Sequence, residues 1–410
     1  MEETQFLRKY IKFFQYDKPY NSLPFFLLVI LATVSLSSIC LATRTELTVE
    51  ISLEALKDAF SATLLYSCII EHSLNPDRAL KLVKLIEDKF LVDENDFVAE
   101  NKEKWGRLDK LQEKKKQDMK RKFRYITIAQ FFICFGYYFK NFLNYILGIR
   151  TYLDDDTNRW PTPFLYPIPE FQFRSTIFLL YVYSLHALTL STICSEGYIM
   201  LTTVCVSTER VLADFETLYL LLDNFSEDFN EEASMGEFHK KHIEIDCKTK
   251  DERLKADMRR IVNCHQSINR NLNICAKNSA FVVSVAIAVI VADSCSNAFF
   301  MLKTTDVKKA VISTSMFIIE NMTMFFLYQN GQRIYNQNQI LRKYLTELPW
   351  TDKPLWLRRT LHVMMTRANV DSEMRPYGIF VLNYVSFKDV MKLTFSVGNV
   401  LYSMKVASQS

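Results

Sequence analysis

The sequence predicts an all-α polytopic membrane protein with seven transmembrane helices. Its 410 residues are 49% hydrophobic, an average that a soluble protein could also have. The distribution decides between them, because the apolar residues gather into long uncharged runs and the charged residues gather between those runs. A soluble core rarely needs an uncharged run as long as residues 19–43.

Charge, glycine and cysteine content exclude several other classes of protein. The net charge of +4 is too small to indicate nucleic-acid binding, and eight glycines make a phosphate-binding loop improbable. The nine cysteines are scattered without a CxxC pair, which predicts neither a disulfide framework nor a zinc site. No HExxH or GxSxG motif occurs, so we expect no enzyme activity and no cofactor.

The first half of the chain is predicted to contain four spans. Residues 1–22 mix basic and aromatic side chains, which is typical of a cytoplasmic amphipathic segment at a membrane surface. The first apolar run is too long for a cleaved signal and is expected to remain as an anchor. Within 23–206 the four spans are predicted at 23–42, 51–70, 125–147 and 175–206. The charged segment 71–124 is predicted to end in a solvated helix that leads into the third span.

The second half is predicted to alternate cytoplasmic helices with three further spans. The predicted divisions are cytoplasmic linker helices at 207–275, the fifth and sixth spans within 276–328, cytoplasmic anchor helices at 329–392, and a pore-lining seventh helix with a short extracellular tail at 393–410. The last membrane helix is thus expected to be split into a cytoplasmic part and a pore-lining part.

Lysine and arginine in the loops predict the orientation. They are abundant in the leader and in the three long polar segments, whereas loops 43–58, 150–174 and 303–309 have two or three each. The N-terminus is therefore expected in the cytoplasm and, after seven spans, the C-terminus outside. This orientation is opposite to that of a G-protein-coupled receptor, and the chain has no DRY-like or NPxxY motif at the corresponding places.

A polar stripe marks the last apolar stretch, residues 379–404. Lys392, Ser396, Asn399 and Ser403 follow each other at steps of four, three and four, which places them on one face of a helix. Lipid satisfies none of these groups, so the stripe needs water, an ion path or a partner helix. Small and polar residues also hold membrane helices together, and the residues alone leave pore lining and helix packing open.

Other polar groups within the spans suggest a ligand cavity or, alternatively, a proton relay. A small apolar cavity with a few polar handles would suit a volatile ester or alcohol. The candidate lining, called the cavity set below, is Phe60, Leu64, Phe135, Gly136, Tyr138, Tyr181, His186 and Met316. A single histidine in such a span is more often a hydrogen-bonded interior residue than a ligand contact. Glu196, Asp293 and Glu320 could instead serve a proton-coupled transporter, although no pair of matching broken spans suggests inverted repeats.

The C-terminal third resembles the insect odorant receptors. The likeness starts at MRRIVNCHQSINRNLN, continues through LYQNGQRIYNQNQILRKYLTELPW with Gly331, Tyr344 and Trp350, and ends in SFKDVMKLTFSVGNVL. In that last motif the tyrosine of the family's Ser-Tyr-Ser-like core is replaced by Phe395. The motifs are individually degenerate, and their order carries the resemblance over about 150 residues.

The resemblance implies an odorant-binding subunit of a ligand-gated, non-selective cation channel in the plasma membrane. In that family a divergent subunit assembles with a common co-receptor into a tetramer around one pore for cations, with the last helix of each subunit lining it. The long insertion of the co-receptor is absent from 207–275, so the chain looks like the odorant-specific subunit. A gustatory-receptor-like channel is the alternative, but the final-helix motif of those receptors is missing.

The resemblance also assigns roles to residues of the last third. Ser396, Asn399, Val400 and Ser403 are expected to line the pore, with Val400 in an apolar constriction. The expected subunit anchor consists of Tyr344, Trp350, Leu357, Leu361 and Met364. The amphipathic helix that carries the last three is expected to bury its apolar face against neighbouring subunits, and the alternative is a helix lying on the membrane surface.

Overall fold

The computed structural model describes residues 2–15, 18–33, 63–92, 102–146, 176–235, 243–303, 307–348 and 350–409, without positions 27, 31, 64–65, 68–69, 72–73, 76, 352 and 371. The described part is all-α, as the sequence predicts. Its helices are α1 Glu2–Phe14, α2 Asp77–Glu87, α3 Lys102–Ile146, α4 Thr176–Met235, α5 Ile243–Lys303, α6 Val307–Glu347, α7 Leu355–Ala368 and α8 Tyr384–Gln409.

Three of these helices are much longer than a bilayer requires. A helix needs about 20 residues to cross the hydrocarbon core, whereas α4 has 60, α5 has 61 and α6 has 41. They run without a break through the predicted divisions after residues 206, 275 and 328. The polar segments 207–275 and 329–348 are therefore largely continuations of the predicted membrane helices.

The helix that contains the predicted pore-lining segment begins before residue 393. Helix α7 and helix α8 are separated by residues 369–383, which include a 3₁₀ turn at Pro376–Gly378. The predicted division after residue 392 lies inside α8, which begins at Tyr384. A charged residue near the start of a membrane helix does not end the helix, since the backbone hydrogen bonds continue past it.

Two described helices are long and apolar enough to cross a membrane by length and composition. They contain the stretches Asp251–Leu302 and Ala310–Glu347, which carry the predicted fifth and sixth spans. The predicted spans at 23–42, 51–70, 125–147 and 175–206 all reach into residues whose positions or side chains are not described. The count of seven and the side on which each terminus lies stay predictions.

The larger hydrophobic core lies where α4, α5, α6 and α7 meet. Leu212, Leu218, Ile268 and Leu341 are each at most 2% exposed within it. A smaller core joins α1 to α2, α3 and α4 through Leu7, Ile11, Val83, Ile86, Met119 and Ile199. Both cores follow from helices that present apolar side chains at intervals of three and four residues.

The chain between α7 and α8 returns closely over α6. The Cβ of any larger residue at Gly331 would overlap the backbone oxygen and Cβ of Leu382, so glycine permits this approach. The preceding turn has Tyr377 and Gly378 at φ 50° and 72°, and the Leu382 N–H donates to the Met374 carbonyl at 3.0 Å. The start of α8 is thereby held against α6.

Candidate functional site

One face of α8 packs tightly on α5 and α6. Thr394 is fully buried, and a Cβ at Gly398 would lie 3.1 Å from the Cβ of Ala298 on α5. The ring of Phe395 lies 5.3 Å, centroid to centroid, from the ring of Phe317 on α6. Small residues allow this close approach of the two helix backbones, as in other membrane helix pairs.

The polar stripe lies on the opposite face of α8. Lys392, Ser396 and Asn399 are exposed in the chain, as is Ser403. At about 100° per residue, buried Thr394 lies about 200° around the helix from Ser396. Val400 borders the stripe and is 56% exposed. The stripe therefore faces away from the chain's own helices, and within the chain it is not a packing surface.

The cavity set is only partly within the described residues. Phe60 and Leu64 lie outside them. Of the others, Phe135, Gly136 and Tyr138 belong to α3, Tyr181 and His186 belong to α4, and Met316 belongs to α6. Met316 is half-buried, and the side chains of the remaining members are not described. A shared cavity stays a prediction.

The three acids of the predicted spans have different surroundings. The hydroxyl of Tyr10 on α1 donates to Glu196 at 2.9 Å, and Asn297 on α5 donates to Glu320 on α6 at 2.9 Å. Asp293 is 4% exposed and lies one helical turn before Asn297. Glu196 thus connects α4 to α1, whereas Glu320 belongs to a polar contact between α5 and α6. A buried carboxylate needs hydrogen-bond donors, so these contacts fit a structural role for the acids in the protein interior.

A buried carboxylate at Glu209 of α4 joins three helices. Both Lys122 of α3 and Arg333 of α6 donate to it, and Lys122 also donates to the side-chain oxygen of Asn330 at 3.3 Å. Glu209 is only 6% exposed, so these charge-assisted bonds lie out of most of the solvent. No local sequence pattern predicts this junction.

The next residue of α4 begins a second buried charge pair. Arg210 lies 3.3 Å from Asp214, donates to the Lys89 carbonyl, and places its guanidinium 4.0 Å above the ring of Phe90. Burial raises the pKa of Asp214 to about 6 against the opposing effect of Arg210. The segment that follows α2 is therefore fixed to α4 by a charge pair taken out of water.

The predicted anchor residues pack mainly within the chain. Tyr344 stacks on Tyr219 of α4 with ring centroids 4.8 Å apart. Trp350 is 37% exposed. The apolar face of α7, formed by Leu357, Leu361 and Met364, is at most 4% exposed and belongs to the larger core.

The expected subunit contact through the apolar face of α7 is contradicted by the burial of that face within the chain. Its 3.6-residue period was expected to indicate a surface for neighbouring subunits, but these side chains belong to the larger core of the same chain, where α7 packs on α6. The outward side of α7 carries exposed Val363 at 66% and exposed Arg359 instead. Periodicity identifies an apolar face but does not identify what covers it.

Long helices, acids buried among apolar side chains and an exposed polar stripe on an apolar last helix define a helical polytopic membrane protein. The family described as 7tm Odorant receptor matches residues 94–395. Since this match covers more than half of the chain, the chain belongs to the 7tm odorant receptor family, as the sequence resemblance predicts. No curated protein matches the chain.

Solved structures of an insect olfactory receptor share the fold. One is the olfactory receptor OR5 from Machilis hrabei in complex with eugenol, with a TM-score of 0.67, 12% identity, and coverage of 93% of this chain and 88% of that chain. A second structure of the same receptor gives a TM-score of 0.67 and 13% identity, and the match covers 92% of this chain and 87% of that chain. At this identity the likeness establishes the fold.

Proposed function

We propose that this receptor is the odorant-binding subunit of a ligand-gated, non-selective cation channel in the plasma membrane, with its N-terminus in the cytoplasm. In this proposal it assembles with co-receptor subunits into a heterotetramer around a central pore. A small apolar volatile binds in the outer half of the helical bundle, among the cavity set, and opens the pore. The channel itself carries no cofactor and binds no nucleic acid.

The orientation of α8 carries the proposal. Its polar stripe faces away from α5 and α6, while Thr394 and Gly398 occupy the packed side. Exposed Ser396 and Asn399 offer a hydroxyl and an amide that lipid would leave without hydrogen bonds. A water-filled path shared with other subunits satisfies these groups, and Val400 beside them supplies an apolar ring that closes by dewetting.

A route from ligand to pore runs along α6. Met316 of the cavity set precedes Phe317, whose ring contacts that of Phe395 on α8, and Phe395 precedes Ser396 of the stripe. A ligand that moves this part of α6 therefore moves α8. It opens the pore only if it binds the open arrangement more tightly than the closed one.

Whole-cell recording of the chain expressed with and without a co-receptor tests the proposal. A panel of volatiles should evoke inward current only from the co-expressed pair. Asn399→Ala should change the reversal potential under mixed-cation conditions and leave the half-maximal concentration of the volatile unchanged. Met316→Ala and Tyr138→Ala should change the half-maximal concentration and leave the reversal potential unchanged. His186→Ala is expected to behave like Tyr138→Ala, and co-receptor-agonist currents should not move in any cavity variant.

Two results would count against the proposal. One is the absence of current from the panel despite surface expression of both chains. The other concerns Glu196, Asp293 and Glu320: if neutralising each of them in turn abolishes a proton-coupled flux that the wild-type chain carries alone, a transporter replaces the channel. A receptor with interior acids should instead be destabilised or retuned by these changes.

A further inference from the structure

Helix α3 changes character abruptly after Arg124. Before this residue its outward side is basic, with Lys116, Lys120 and Arg124 exposed. After it the outward side is apolar, and the exposed fractions are 62% for Tyr125, 47% for Ile128, 65% for Phe131 and 60% for Phe132. Exposed rings and an isoleucine directly above lysine and arginine are typical of a helix that enters a bilayer from its headgroup layer.

Helix α1 brings more basic residues to the same level. The ring of Phe6 lies 6.1 Å from that of Tyr198 on α4, and Tyr198 lies 6.2 Å from Phe123 on α3. These contacts place α1 beside the residue that precedes Arg124. Exposed Lys9 and Lys12 of α1 therefore lie near the level at which α3 changes from basic to apolar. We call Lys9, Lys12, Lys120 and Arg124 the basic collar.

Two carboxylates whose partners are neighbours of the collar in sequence are occupied by other cations. Glu87 accepts two hydrogen bonds from Arg8, and Asp118 accepts one from Arg121 at 2.6 Å. Within the part of the chain that the structure describes, no carboxylate forms an ion pair with any of the four collar residues. Among the described side chains, four positive charges without an ion-pair partner thus lie on one rim beside exposed aromatic side chains.

We propose that the basic collar binds the headgroups of anionic phospholipids, with the acyl chains lying against the exposed side of α3 beyond Tyr125. The proposal rests on α3 entering a bilayer near residue 125 and is independent of the channel function. Anionic lipid attracts basic residues near the surface, and the attraction falls off within a Debye length of about 8 Å at physiological salt. Only charges close to residue 125 should therefore contribute.

The chain offers a matched control for this distance dependence. Lys110 and Lys114 are exposed on the same helix at the same spacing of four residues as Lys120 and Arg124. At 1.5 Å per residue they lie about 15 Å farther from the apolar part of α3. Neutralising either pair removes the same charge, but only the collar pair lies within reach of the headgroups.

The test is native mass spectrometry of the full-length purified chain, which counts retained lipids after addition of phosphatidylserine or phosphatidylcholine. The wild type should prefer phosphatidylserine. Each basic side chain near the surface contributes about fivefold in affinity, so Lys120→Gln with Arg124→Gln should lower the preference roughly thirtyfold at physiological ionic strength, where the Debye length is about 8 Å. Lys110→Gln with Lys114→Gln should leave it within about twofold.

Three outcomes overturn the proposal. The first is that the wild type binds both lipids equally. The second is that the two double variants lose the preference equally. The third is that the collar variant keeps the preference but loses assembly with the co-receptor. The last outcome would identify the collar as a protein contact. A thermal unfolding curve for each variant, read in the same detergent, separates a loss of lipid preference from a loss of fold.

Discussion

The middle of α4 and the beginning of α8 are opposites in how much of their surface the chain itself covers. From Thr202 to Phe215 every side chain of α4 is buried, including the charged groups of Glu209, Arg210 and Asp214. From Tyr384 to Val400 only Thr394 and Gly398 of α8 are buried. The middle of α4 is covered entirely by its own chain. The beginning of α8 has one face packed against the chain and one exposed face, called the open face below.

The difference indicates that the middle of α4 contributes mainly to stability and the open face of α8 mainly to function. Changes in the middle of α4 must act on stability, because each buried charge there has lost its water and depends on its partners. Changes on the open face of α8 should leave stability nearly unaltered, because those side chains contact little of the chain. The predictions below test this division, from the largest expected loss of stability to the smallest.

Removing the guanidinium of Arg210 should cause the largest loss. Arg210→Leu leaves the carboxylate of Asp214 buried without its cation and should lower the free energy of unfolding by about 3–5 kcal/mol. Chemical unfolding in detergent micelles measures this change. The double variant Arg210→Leu with Asp214→Leu should recover part of the loss, because it removes both charges together. An equal or greater loss in the double variant would contradict the assignment.

Adding a methyl group at Gly331, where Leu382 lies close, should cause the second-largest loss of stability. Gly331→Ala forces Leu382 and the start of α8 away from α6, and such overpacking costs about 1–3 kcal/mol. The control is Gly106→Ala on α3, where no atom lies within 4 Å of the added Cβ, and which should stabilise the helix by up to about 1 kcal/mol. Thermal unfolding of both variants should therefore move in opposite directions.

Losing one hydrogen bond beneath Tyr344 should cost less. The hydroxyl of Tyr219 donates to Gln337 at 2.9 Å while its ring stacks on Tyr344. Tyr219→Phe keeps the stack, removes the bond, and should lower the free energy of unfolding by about 1 kcal/mol. Tyr219→Leu, which removes both, should cost clearly more. Equal losses in the two variants would mean that the stacking contributes nothing.

Changes in the stripe should barely alter stability. Ser396→Ala with Asn399→Ala should remain within about 0.5 kcal/mol of the wild type in unfolding, because both side chains are exposed in the chain. The same variant, co-expressed with a co-receptor, should change the relative permeability to sodium and potassium. A loss of several kcal/mol with unchanged permeability would assign the stripe to folding rather than conduction.

The sequence predicts the all-α class and the face of α8 that carries the stripe, because these signals are local. Apolar runs and the four-three-four spacing of the stripe depend on residues within a few turns, and the structure has Ser396 and Asn399 together on the open face of α8 as this spacing requires. The sequence did not predict that α4 continues past residue 206, that α5 begins before residue 276, or that α6 continues past residue 328. A helix continues wherever its backbone hydrogen bonds are satisfied, whether or not its side chains suit lipid.

The charge junctions were missed because their partners are distant in the chain. Glu209 meets Lys122 and Arg333 across 87 and 124 residues, and no local pattern specifies such a meeting. For Arg210 and Asp214 the sequence does contain a weak indication of the pair. They are two opposite charges four residues apart in the run VCVSTERVLADFETLYLLL, where most of the other positions are apolar.

The junction at Glu209 also fixes α4 at a point near its middle. A continuous helix of 60 residues is stiff, and the three-helix contact at Glu209 divides it into arms of about 50 Å towards Thr176 and about 39 Å towards Met235 at 1.5 Å per residue. A tilt about this point moves the two ends in opposite directions, in proportion to the arm lengths. If α4 tilts as a rigid rod, a displacement of the Thr176 end would be reversed at the Met235 end and about four-fifths as large.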